Sequence, residues 1–168
     1  LRDPAAVRPF AALDPILRAA DLRLVNLESQ LSDQGGETQS PYNRLVFTGP
    51  PGGAEVLAAS GIDVVSLANN HMWDYGKRAL FETLSHLDRA GVATVGATRD
   101  PERMYEPLVI RRGDWSIALF AVTHIWNQGE FRSHEGQHHV AWARFDRLAR
   151  RLEEARSAAN RIIEEGRA

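Results

Sequence analysis

Apolar residues along the chain fall into two kinds of pattern. Leu13, Ile16, Leu17 and Ala20 recur at helical spacing behind Phe10 and predict a helix over 7–19. Residues 22–27 form a short apolar run interrupted by Arg23, a first strand. Residues 30–41 hold Ser32, Asp33, Gly35, Gly36 and Ser40 and read as a loop, with a short strand at 45–47. Pro50, Pro51 and Gly52 break the chain and open a helix that ends near Gly61. The β-branched run at 62–67 is a second strand, continuous enough to be buried on both faces.

Leu80, Phe81, Leu84 and Leu87 then mark a helix over 76–90, with Gly91 placed as its left-handed cap. A third strand follows at 92–95. Residues 107–111 and 115–122 flank a tight turn at 112–114 and predict a hairpin. Trp142, Phe145, Leu148, Leu152, Ala155, Ala159 and Ile162 lie three or four apart and predict an amphipathic helix over 140–165. Its Arg- and Glu-rich remainder reads as a solvated face. Strands alternating with helices predict an α/β fold with a mostly parallel sheet. Right-handed crossovers bring the carboxyl ends of such strands to one edge, where open α/β sheets bind ligands.

Composition narrows the function classes. The 168 residues suffice for one domain, and 43% apolar with 25% charged residues is a globular mix. A net charge of −2 argues against nucleic acid as a partner. Without cysteine, disulfides and thiolate metal sites are excluded. No apolar run reaches the roughly 20 residues of a membrane helix. The chain opens on Leu1 and not Met, so it reads as a piece of a longer product, and the absence of a signal peptide carries no information on location.

The strand outlets carry the candidate chemistry. The first runs into Asn26-Leu27-Glu28, the second into Asn69-Asn70-His71 with Asp74 close behind, and the last into Thr123-His124. If these strands are neighbours, Glu28, Asn70 and His71 converge. A carboxylate can bridge two hard divalent cations and an Asn carbonyl can add a neutral oxygen. A His can ligate, or give a proton to a leaving oxygen. Two cations about 3.5–4 Å apart would activate water and clamp an oxyanion. Asp74 is spaced to orient the His71 imidazole. Plainer roles fit the same residues: Asn69 and Asn70 as turn formers, Asp74 as the cap of the following helix, Glu28 as a loop carboxylate.

The segment 21–29, Asp-Leu-Arg-Leu-Val-Asn-Leu-Glu-Ser, resembles the aspartate–strand–Asn-Leu-Glu segment of the poly-γ-glutamate capsule-synthesis (CapA) family. Residues 61–71, Gly-Ile-Asp-Val-Val-Ser-Leu-Ala-Asn-Asn-His, with Asp74-Tyr75-Gly76, resemble that family's most diagnostic block, and 91–97 is similar to its next strand. The likeness covers about residues 3–122. It implies a fold related to the calcineurin-like metallophosphatases, a sandwich of two sheets flanked by helices around a dinuclear site. By that likeness Asn70 is a metal ligand, His71 is the acid or phosphate-contacting residue, and Glu28 is a ligand carboxylate. Asn26 then supports Glu28. Asn69 and His124 are further supporting candidates from their places after strands, although His124 matches none of the family's histidine blocks and a surface or structural role suits it better. The implied cofactors are two divalent ions of the Mn, Fe, Zn or Mg class. The implied activity is a metallophosphoesterase-like hydrolase. A phosphate ester or an anionic polymer is the implied substrate, with membrane synthase subunits as further partners, at the cell envelope or its outer face.

The departures are equally specific. The family opens with a strand ending in Gly-Asp, and nothing before Leu22 is such a strand; after the long helix it continues with His-Trp-Gly and His-Pro-His blocks, which this sequence does not contain. His134, His138 and His139 match no family block; His138 and His139 read as exposed loop or cap residues, and His86 as a partly exposed helix residue. Residues 1–168 are therefore expected to be a single, partial domain. A half-built site is expected, binding metal weakly or not at all and inactive by itself. A non-catalytic polymer-binding or assembly module is the alternative, with Arg99, Arg103, Arg111 and Arg112 as its cationic surface.

Overall fold

A computed structural model describes residues 8–33, 45–125, 139–143 and 148–166. Its centre is a three-stranded parallel sheet of order β1-β4-β5, where β1 is Leu24–Asn26, β4 Val64–Ser66 and β5 Ala93–Val95. Central β4 has Val64 and Val65 fully buried, as the continuous apolar run requires. Strand β1 lies at the sheet's edge and alternates, with Leu24 and Asn26 exposed around a half-buried Val25. The pairing sets Leu24 against Val64 and Asn26 against Ser66. On the far side Ser66 faces Val95.

Helix α3, Gly76–Ala90, packs its apolar stripe of Ala79, Leu80, Leu84 and Leu87 into the core. Each of those leucines is worth about 1.5–3 kcal/mol when fully buried. Gly91 ends the helix at φ 73°, in the left-handed cap, and its N–H reaches the carbonyls of Leu87 and Asp88. Helix α2, Gly53–Ala59, buries Ala54 and Leu57 in the same core. Helix α1 is shorter than the spacing suggests: a 3₁₀ turn, Ala11–Leu13, leads into Asp14–Ala19.

Two segments depart from the expected pattern. Residues 30–31, expected in a loop, form strand β2, Gln30–Leu31, parallel to β3, Thr48–Gly49. Thr83 in α3 joins this pair to the helix by accepting the Leu31 N–H at 2.8 Å. Residues 140–143, expected in the last helix, are extended. Val140 bridges Ala97 and Trp142 bridges Thr123, with main-chain bonds of 2.7–2.9 Å from Thr98, Ala141, Thr123 and Ala143. The periodic pattern fails there because Val140, Ala141 and Ala143 are all buried by strand-like pairing, which suits no single helical face. His139, expected to be exposed, is 3% exposed for the same reason. His86 is half-buried on α3, while His134 and His138 lie outside the described residues.

The hairpin forms as expected from β6, Leu108–Arg112, and β7, Trp115–Leu119, with Arg112 opposite Trp115. Helix α4, Leu148–Glu165, packs beside β6. The fold is thus mixed α/β with a parallel sheet and flanking helices. Among the described residues the other sheets have two strands each, and no second large sheet closes on the first. No described helix is long and apolar enough to cross a membrane.

Candidate functional site

Parallel pairing decides where the candidate residues meet. The Leu27 N–H bonds the Ser66 carbonyl at 3.1 Å, so β1 and β4 leave the sheet side by side. The next residues of each strand, Glu28 and Asn69 to His71, therefore share one rim.

Asn69 joins the two outlets. Its side-chain amide donates to Asn26 Oδ1 at 3.1 Å and to the Leu27 carbonyl at 2.9 Å. Its own Oδ1 accepts the His71 N–H at 3.0 Å, the i to i+2 bond of an Asx turn. The turn and supporting roles thus hold together in Asn69. Asn70 follows it at the rim, half-buried.

His71 is buried, and its Nδ1 lies 2.6 Å from Asp74 Oδ2. Its Nε2 lies 3.8 Å from Glu28 Oε1, and Glu28 keeps 55% of its side chain exposed. Asp74 is fully buried, and the same Oδ2 accepts the Phe47 N–H at 2.7 Å. Two donors on one oxygen are the arrangement of a carboxylate acceptor, which selects the Nδ1–H tautomer of His71. That tautomer leaves Nε2 as the lone-pair nitrogen, turned toward Glu28 and the rim. Asp74 does not cap α3: the cap position is Tyr75, and no side chain bonds there.

Two residues at the site were invisible to pattern reasoning. Gln30 is fully buried, donates its amide to the carbonyls of Met72 and Gly76, and accepts the Tyr75 N–H at 2.6 Å. It grips the loop that carries Asp74. Phe47 stacks on the His71 ring, centroids 4.1 Å apart and planes at 28°. Their only sequence signals were a glutamine two residues past Glu28 and an aromatic in the short 45–47 run.

His124 is exposed, bonds the Ala143 carbonyl through Nδ1 at 2.9 Å, and takes the Trp142 indole N–H on its own carbonyl. Those contacts tie it to the 139–143 segment.

A divalent cation at this rim would need several oxygen or imidazole donors. Asp74 Oδ1 is buried with no hydrogen-bond partner among the described residues. Glu28 and Asn70 offer hard oxygen donors at the rim. Yet no three His, Asp or Glu side chains among the described residues are grouped to hold an ion, and a hard cation takes six or more oxygens. The residues present fit part of a coordination shell.

A family model described as "Bacterial capsule synthesis protein PGA_cap" matches residues 2–164. An uncharacterized protein of Sinorhizobium fredii is 33% identical over 95 residues, covering 54% of this chain and 21% of that protein. A probable polyglutamine synthesis accessory protein of Mycobacterium tuberculosis is 33% identical over 82 residues, covering 49% and 21%. The chain spans about a fifth of the length of these curated relatives. With nearly its whole length matched, this chain belongs to the bacterial capsule synthesis PGA_cap family.

Proposed function

We propose that this chain carries part of the active site of a metal-dependent hydrolase in envelope-polymer synthesis. Its substrate would be a phosphate ester, or an amide or ester linkage of an anionic polymer. The observation that supports this best is the His71–Asp74 pair, 2.6 Å apart and facing Glu28 at the outlet of a parallel sheet. Asp74 holds the imidazole in one tautomer and stabilises the cation it becomes on protonation. His71 Nε2 is then the atom that delivers a proton to a leaving oxygen or contacts the oxyanion. Glu28 and Asn70 would contribute oxygens to a divalent-cation shell, completed by residues beyond this set. Such an ion supplies Lewis-acid activation of water and charge neutralisation of the oxyanion. The two-sheet metallophosphatase-like sandwich, and placement at the cell envelope or its outer face, belong to the same proposal.

The polymer-binding alternative has less support. Arg103 pairs with Glu106, Arg112 with Asp63, Arg111 with the Gly166 carbonyl, and Arg99 with the Phe81 carbonyl. These four cations thus already have partners within the chain. The deciding experiment is hydrolysis of bis(p-nitrophenyl) phosphate with added Mn²⁺, by this chain and by any longer protein that contains it. His71→Ala abolishes turnover if the proposal holds, and unchanged turnover removes His71 from the mechanism. Calorimetric titration of the chain with Mn²⁺ tests the partial shell separately: weak binding that Glu28→Gln removes is the expected result.

A further inference from the structure

We propose that Phe47 is a positioning residue, which locks the orientation of the His71 ring and the Asp74 carboxylate at once. Two different parts of Phe47 reach the two members of the pair. Its ring lies against the imidazole face at 4.1 Å, and its main-chain N–H bonds Asp74 Oδ2 at 2.7 Å. The bond to Asp74 restrains the Nδ1 edge of the ring and by itself leaves the ring plane some freedom to tilt. A flat neighbour against its face removes this freedom, so the direction of Nε2 is set as well as its distance.

Phe47 is itself fixed by short-range structure. It directly precedes β3, whose Thr48 pairs with Gln30 and Gly49 with Leu31. Thr48 Oγ1 also bonds the Ser32 carbonyl at 3.1 Å. Gln30, the partner of Thr48, is the residue that grips the Met72 and Gly76 carbonyls. One two-rung ladder therefore sets both Phe47 and the loop bearing Asp74. Phe47 is 38% exposed, so its burial in the core is incomplete and its best-defined aromatic contact is with His71. A second acceptor-side role follows for the chain: the Phe47 N–H occupies lone-pair space on Oδ2 and keeps that oxygen turned toward Nδ1.

The positional claim is geometric and stands without the hydrolase reading; its effect on turnover rests on that reading. The test uses Phe47→Ala, Phe47→Leu and Phe47→Tyr in the intact chain. At one fixed pH, NMR relaxation of the His71 ring carbons reports its order, and backbone amides report the fold. In the Ala and Leu variants the His71 ring loses order and its upfield ring-current shift, while amides outside 45–49 and 69–76 stay in place. Tyr restores both. In whichever form of the protein hydrolyses bis(p-nitrophenyl) phosphate, turnover falls about ten- to a hundredfold in the Ala variant with KM unchanged, and Tyr recovers it. Wild-type ring order in the Ala variant overturns the proposal. So does collapse of the whole spectrum in both Ala and Leu variants, which would make Phe47 a core residue. If no form of the protein hydrolyses the ester, the hydrolase reading fails, and the ring-order measurement still decides the role of Phe47.

Discussion

Asp74 grips His71 from three residues away, Oδ2 to Nδ1 at 2.6 Å, with the carboxylate wholly shielded from water and the imidazole nearly so. A bond of this kind does more than add stability. It chooses which ring nitrogen holds the proton and which one meets the rim.

Asp74→Asn keeps the shape but removes the charge: an amide oxygen in the place of Oδ2 still accepts from Nδ1 and from the Phe47 N–H, yet stabilises a protonated imidazole less than a carboxylate does. Turnover should fall by about two to four powers of ten, as general acid–base contributions do when lost. Steady-state rates on the phosphodiester, alongside an unchanged far-UV spectrum, check this.

Gln30→Ala removes three hydrogen bonds in one step. The Met72 and Gly76 carbonyls and the Tyr75 N–H each lose the bond that Gln30 makes to them. At about 1–3 kcal/mol for each group left unsatisfied, the loss should exceed 2 kcal/mol, roughly. Gln30→Glu should be no milder, since a carboxylate cannot donate to two carbonyls. Urea unfolding at pH 7 measures both.

His139 makes stability depend on pH. Burial, and then the nearby Lys77 charge, push its pKa below the ordinary value of 6.5, against weaker opposing pulls from the Thr98 and Arg99 main chain and Asp100. The folded state therefore favours the neutral ring. Above pH 6.5 the group has no effect; as pH falls below that value the unfolded chain takes up the proton first, and stability declines until the folded pKa is passed. His139→Gln should flatten this part of the profile, read as thermal midpoints between neutral and mildly acidic pH.

Gly96→Ala tests a close backbone approach beside β5. Gly96 has φ 84°, and an added Cβ would stand 2.6 Å from Ala68 Cβ and 2.8 Å from Ala121 Cβ. Left-handed strain of about 1–2 kcal/mol adds to overpacking of about 1–3 kcal/mol. Thermal unfolding should show a large drop, and because Ala68 adjoins Asn69, the Asn69 side-chain amide resonances should shift too.

The sheet and its outlets were legible because their signals are local. The run ending in Val64-Val65-Ser66, the stripe on α3 with Gly91 behind it, and the hairpin each carry their own period or turn. Strand β2 was not legible: its two residues are held by Thr83 and by β3, and neither partner is near in sequence. Trp142 misled because its spacing continues the period of α4, whereas pairing with Thr123 decides its conformation. At the site, Glu28, Asn70 and His71 could be grouped from the sequence on the condition that their strands are neighbours. Gln30 and Phe47 could not, since an isolated amide and a lone aromatic have no periodic signature and their roles arise only from what folds against them.

The crosslink from Asn69 to Asn26 and Leu27 has a mechanical consequence. One amide side chain thus clips the backbone next to Glu28 to the main chain of His71, so losing Asn69 would loosen both arms of the rim together.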